Sequence, residues 1–261
     1  MDALALPDMW VLVALCIAAA MAGWVDAVSG GGGLLQLPAL LVAFPSAEPV
    51  EALGTNKVSS VMGTAAATAT YARKAPPDVR TALPMAVAAF IGAGLGALVA
   101  SRVPAQAFRP IIVVLLIAVW LWTLLSPRMG QTQELRWQGH RRHYAVAIAA
   151  GLAIGFYDGI LGPGTGSFLL IVLVAGLGYS FLNASSTAKV VNLGTNVAAI
   201  IVFGITGSIL WLLGLLMGLC NMAGAIIGAR MAIRRGSGFV RIVFLAVVGV
   251  LILRLAWDLR G

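Results

Sequence analysis

The sequence predicts an all-α polytopic membrane protein made of two inverted-topology repeats. Three observations predict it: an apolar composition, a series of long hydrophobic runs, and a gapless internal duplication. Of the 261 residues, 61% are hydrophobic and 10% charged. A soluble domain is nearer half apolar and a quarter charged. Lipid as solvent removes the need for a polar surface.

The hydrophobic runs supply the spans. Segments 10–28, 81–100, 111–125, 144–161, 190–205, 210–229 and 239–257 are candidate transmembrane helices. A bilayer core requires about 20 helical residues. The strict alternation of a membrane barrel is missing. Asp2 and Asp8 stand where a signal peptide has a basic region, so the first apolar segment is expected to be retained.

The duplication runs at an offset of 132 residues, the separation of Asp26 and Asp158. Gly23-Trp-Val-Asp26 matches Gly155-Phe-Tyr-Asp158, and Gly30 and Gly32 fall on Gly162 and Gly164. Thr55, Lys57 and Val58 fall on Thr187, Lys189 and Val190. Gly92 and Gly96 fall on Gly224 and Gly228, as small-residue faces for close helix packing. Arg102 and Arg109 fall on Arg234 and Arg241. The repeats are expected at 1–126 and 144–261, joined by a polar linker at 127–143.

The linker carries Arg128, Arg136, Arg141 and Arg142 against Glu134, which by the positive-inside rule makes it cytoplasmic. The net charge of +8 has the same origin, and no nucleic-acid partner is implied. His140 and His143 fall in this basic stretch and are expected to be solvated. Cys16 and Cys220 lie in apolar segments as small core residues, with no metal or disulfide spacing. The basic segments 73–80 and 230–241 occupy different positions in the two halves. Opposite orientation of the halves predicts this, and it puts both segments inside and both termini outside. Inversion requires an odd number of elements per half. The short apolar pieces 34–44 and 167–177 complete five plus five as re-entrant half-helices.

Each short piece follows a glycine-rich break: Gly30 to Gly33 in the first half, and Gly162, Gly164 and Gly166 in the second. Irregular backbone within a membrane is tolerated where it is buried or lines a polar cavity. A half-helix beginning there points N–H groups and its positive end inward, an arrangement that suits an anion. Gly31, Gly32, Gly33, Gly164, Thr165, Gly166 and Ser167 are therefore candidate binding residues. No strand precedes either break and no Gly-Lys-Ser/Thr follows, which argues against a nucleotide loop.

The chain has three lysines, and two of them, Lys57 and Lys189, are repeat mates, each placed at a helix start. On helical spacing Lys57, Ser60 and Thr64 share one face in the first half, as do Lys189, Asn192 and Asn196 in the second, and Thr55 and Asn56 stand just before Lys57. These are polar stripes on otherwise apolar helices. Such stripes face the bundle interior or a water path. Asp26 and Asp158 are the acids of the long apolar segments. They are either structural partners of the lysines or proton carriers that couple transport. Two intramembrane aspartates also raise a remote alternative, an intramembrane hydrolase. That chemistry needs carboxylates sharing one proton, and nearby lysines argue against it.

These residues resemble the TauE/SafE sulfite exporter family. The resemblance rests on 23–33, on Leu37-Pro38 and on Gly54-Thr-Asn-Lys57 in the first half. In the second half it rests on 155–166, Ala188-Lys189-Val-Val-Asn192 and Thr195-Asn196. It implies a bacterial inner-membrane permease, without cofactor or enzymatic activity. Its expected substrate is sulfite or an organosulfonate such as sulfoacetate, exported by alternating access. Import of such an oxyanion and a passive anion channel are the competing expectations.

Overall fold

The computed structural model describes residues 7–45, 47–100, 117, 120–121, 123–125, 130–137 and 139–258. Arg102, Arg109, Arg128 and most of the candidate span 111–125 lie outside the described residues. Every described regular element is helical. In chain order they are α1 (Met9–Ser29), α2 (Gly33–Ala43), α3 (Pro49–Lys74), α4 (Val79–Val99), α5 (Arg141–Ile160), α6 (Thr165–Ile171), α7 (Phe181–Ile205) and α8 (Trp211–Asp258). A π-helical turn, Val172–Gly176, continues α6. Five of the helices, all except α2, α3 and α6, are long and apolar enough to cross a membrane.

Local sequence sets the boundaries. Gly30 adopts φ 80° and closes its N–H on the Asp26 carbonyl, ending α1 in a left-handed cap. Glu48 and Glu51 form a reciprocal capping box with Pro49 in the first turn, which starts α3 early. The Ser180 hydroxyl accepts the Asn183 N–H and starts α7 at the equivalent place. α3 ends before Pro76-Pro77, which cannot continue a helix. Gly236, at φ 72° and ψ −170°, divides α8 into arms 211–235 and 237–258, which correspond to two separate predicted spans.

Two expectations are corrected here. Lys57 and Lys189 do not start helices; caps two turns upstream place each in the third turn. The α3 region was absent from the predicted spans because its polar stripe dilutes its hydropathy.

The hydrophobic clusters show how the chain runs. Leu15 and Ala19 of α1, Leu40 of α2 and Ala52 of α3 pack with Leu210, Leu213 and Met217. α1 and α2 therefore form a hairpin that returns to the end of the bundle where α8 begins. α5 and α6 return to the other end. There the linker amides of Glu134 and Arg136 donate to the carbonyls of Gly178 and Leu177, and Phe181 donates to Gly130. The linker is thus docked on the α6–α7 connection.

His143 is also corrected: it is buried. Its Nε2 lies 2.9 Å from the Thr81 hydroxyl and its Nδ1 3.0 Å from the Arg136 carbonyl. The Tyr179 hydroxyl, in the α6–α7 connection, donates to Asp78 at 2.5 Å and lies 2.9 Å from the Thr81 hydroxyl, tying the α3–α4 connection to the α6–α7 connection. Burial opposes the Asp78 carboxylate, but hydrogen bonds from Tyr179, Thr81 and the Arg80 amide outweigh it and hold the carboxyl below its ordinary range. With the folded pKa depressed, this stabilisation is full above the unfolded value near 3.8 and is lost as pH falls through the lower folded value.

Glycine lets the helices touch backbone to backbone. A methyl at Gly23 would sit 2.0 Å from the Asn221 carbonyl oxygen, and one at Gly155 2.2 Å from that of Ala89. Gly224 meets Ala20 at 1.9 Å, and Gly92 meets Leu152 at 2.3 Å. Gly228 meets Trp24 at 2.6 Å, and Gly96 meets Phe156 at 2.2 Å. Within each of these three pairs, adding 132 to one residue number and subtracting it from the other turns one contact into the other. α1 lies on α8 as α5 lies on α4, while α3 and α7 cross between them.

Gly92→Ala and Gly224→Ala are each expected to lower the thermal midpoint of the detergent-purified protein, by overpacking worth about 1–3 kcal/mol. Gly94→Ala, where an added methyl meets nothing within 4 Å, is expected to leave it unchanged or slightly higher. Equal midpoints for all three would refute the packing assignment.

Candidate substrate site

The two glycine breaks meet. A methyl at Gly30 would fall 2.1 Å from the Gly166 carbonyl carbon, and one at Gly33 3.4 Å from the Pro163 Cα. The Ser167 N–H donates to the Gly30 carbonyl at 3.2 Å, and its hydroxyl to the Ser29 carbonyl at 3.0 Å. Left-handed glycines, Gly30 on one side and Gly162 and Gly164 on the other, make this contact possible.

The lysines flank the junction and pair across the halves. Lys57 Nζ of α3 lies 2.6 Å from Asp158 Oδ2 of α5. Lys189 Nζ of α7 lies 2.7 Å from Asp26 Oδ2 of α1. These are the described salt bridges, and adding 132 to Lys57 and subtracting it from Asp158 gives the second from the first. An isolated charge in an apolar interior costs several kcal/mol even after relaxation, so pairing is obligatory for both lysines.

The two pairs have different surroundings. The Asp158 side chain is 2% exposed, and its Oδ1 accepts a 2.5 Å hydrogen bond from Thr165. Its Oδ2 contact with Lys57 is off the hydrogen-bonding direction, so attraction there is chiefly ionic. Asp26 is 16% exposed and takes an aligned hydrogen bond from Lys189. Asp26 is thus the more accessible acid and Asp158 the sealed one.

The remaining candidates divide. Asn56 lies beside Gly33, and its buried Oδ1 has no partner among the described residues. Asn196 donates to the Thr64 hydroxyl at 3.4 Å; because 64 + 132 = 196, this contact joins a residue to its own repeat mate. Asn192 takes a hydrogen bond from the Thr195 hydroxyl on its Oδ1. Gly32 packs against Asp26. Gly31 instead faces Val247 of the second α8 arm. Thr55 faces away from the junction: its hydroxyl accepts the Leu210 N–H at 3.0 Å, just as Thr187 accepts the Asp78 N–H at 3.3 Å. Both threonines hold helix starts.

The expectation of free first-turn amides is met only in part. Leu35 and Gln36 donate to Gly32, Phe168 donates to Gly164, and Ser167 is used as described. The amides of Gly32, Gly33 and Gly166 have no partner among the described residues.

Sequence reasoning missed three buried polar residues. Gln36 of α2 accepts from Asn221 of α8 at 2.8 Å, and neither its own Nε2 nor the Ser59 hydroxyl has a partner among the described residues. Their repeat mates are Phe168, Ala89 and Val191, so the duplication that revealed the lysines concealed these. A glutamine inside an 11-residue apolar helix was the available signal.

The crossed pairing predicts a specific coupling. Lys57→Ala and Asp158→Ala should each destabilise the protein by about 3–5 kcal/mol, and the double variant should recover most of that loss. Lys57→Ala with Asp26→Ala should be roughly additive. Denaturation in detergent measures both cycles. Coupling of Lys57 to Asp26 in place of Asp158 would refute the crossing.

Comparison with known proteins gives consistent results. The model of the family described as sulfite exporter TauE/SafE matches residues 15–255. A probable membrane transporter protein, ORF9, of Sinorhizobium sp. is 39% identical over 95% of this chain and 93% of its own length. Probable membrane transporter protein YfcA of Escherichia coli strain K12 is 32% identical over 95% and 90%. A probable membrane transporter protein of Haemophilus influenzae is 33% identical over 85% of both chains. No solved structure matches the chain significantly. With its apolar helices, duplicated buried ion pairs and full-length family match, this multi-pass membrane protein belongs to the TauE/SafE family of membrane transporters.

Proposed function

We propose that the protein is a secondary transporter that exports a small sulfur oxyanion or organosulfonate, of the sulfite or sulfoacetate kind, coupled to protons. The observation that carries this proposal is the pair of crossed lysine–aspartate bridges at the meeting point of the two glycine breaks. The family description supports the choice of substrate.

The chemistry follows from charge balance. With both acids ionised, neither lysine has charge to spare. Protonation of Asp26, the more exposed acid, frees the Lys189 ammonium. An anion then replaces the carboxylate, accepting hydrogen bonds from Lys189 and from the nearby amides of Gly32, Gly33 and Gly166. Anion and proton are taken up together, so little net charge is buried. Asn56, Asn192 and Asn196 flank the ion as neutral hydrogen-bonding groups. Asp158, locked by Lys57 and Thr165, is the structural member.

The halves are read as inverted repeats, 1–126 and 144–261, that rock about this junction. Two findings support inversion: the α1–α2 and α5–α6 hairpins return to opposite ends, and the helix contacts exchange at a constant offset. The linker, the α3–α4 connection and the Arg230 region share one end, read as cytoplasmic by the positive-inside rule.

In liposomes, sulfite or sulfoacetate flux is expected to rise with an imposed pH gradient. Lys189→Ala should raise the half-saturating concentration at least tenfold. Asp26→Asn should leave flux that no longer responds to pH, and Asp158→Asn should lower the yield of folded protein. A folded wild-type protein that moves neither anion, or an Asp26→Asn variant with unchanged pH response, would refute the proposal.

A further inference from the structure

We propose that the groove between the C-terminal end of α3 and the first arm of α8 binds the headgroup of an anionic phospholipid. Arg73 and Lys74 come from one helix, and Arg230 and Arg234 from the other. Ala66, Ala69, Ile226 and Ile233 add an apolar wall. The cavity is about 560 Å³, room for a phosphoglycerol and the start of its acyl chains.

Charge and shape select this occupant. All four cationic residues are exposed, and no described residue lining the groove is an acid. Both described salt bridges lie elsewhere, so none of the four is ion-paired among the described residues. Like charges gathered in a concavity repel one another and concentrate anions. The positive-inside rule requires basic residues at this end, but it does not require two distant helices to aim theirs into one recess. A free inorganic anion would use the cations and have no use for the apolar wall, whereas a lipid uses both.

The groove belongs to one end of the molecule. The repeat mates of Arg73, Lys74 and Arg230 are Ile205, Thr206 and Leu98, because 73 + 132 = 205, 74 + 132 = 206 and 230 − 132 = 98. Arg234 keeps a basic mate, Arg102, so the duplication supplies the helix crossing twice and three of the groove's four cations once, at the end where anionic headgroups meet positive-inside residues. Each juxtamembrane cation is worth about fivefold in binding to an anionic surface.

The test uses the full chain purified in neutral detergent, titrated with dioleoylphosphatidylglycerol or dioleoylphosphatidylcholine and read by native mass spectrometry. Wild type is expected to bind the anionic lipid at least tenfold more tightly. The variant R73Q/K74Q/R230Q/R234Q should bind the two lipids equally, and the pairs R73Q/K74Q and R230Q/R234Q should each show partial loss. The pairs keep the test decisive if the quadruple variant misfolds. R80Q/R141Q, which removes exposed cations outside the groove, should retain the full preference. An unchanged preference in both groove pairs would overturn the assignment. Displacement of the lipid by millimolar inorganic phosphate would also overturn it, in favour of a soluble-anion site.

Discussion

Two lysines buried among apolar helices must each meet a carboxylate, and the rest of the structure is arranged around that requirement. Each lysine takes its acid from the opposite half of the chain, so neither half can bury its own charges alone. The ion pairs tie α3 to α5 and α7 to α1 beside the place where the two glycine breaks meet. An interior ion pair contributes little net stability, because desolvation offsets attraction.

The close helix crossings fall on other helix pairs. Where α1 meets α8 and α4 meets α5, glycines let the backbones touch, with neighbouring carbonyls standing where a side chain would begin. Lipid offers no hydrophobic drive between helices, so such packing carries much of the association energy.

The duplication gives pairs of equivalent sites, and the members of each pair have diverged. Asp158 is sealed and held by Thr165, whereas Asp26 stays partly exposed. Gln36, Ser59 and Asn221 have apolar mates, so the two halves differ in their buried uncharged hydrogen-bonding groups. Arg73, Lys74 and Arg230 likewise have uncharged mates, which gives the molecule an electrostatic top and bottom.

The sequence by itself determined the solvent, the helical class and the repeated polar residues, because hydropathy, segment length and a fixed offset are one-dimensional properties. It singled out Lys57, Lys189, Asp26 and Asp158, since a charge in an apolar run stands out without coordinates. Tertiary structure decided which lysine meets which acid. It turned Thr55 and Gly31 away from the junction, buried His143 in a linker that reads as solvated, and exposed the orphaned atoms of Gln36 and Ser59. Those outcomes depend on distances between helices far apart in the chain. Sequence spacing fixes a residue's face on its own helix, and only packing decides what that face meets.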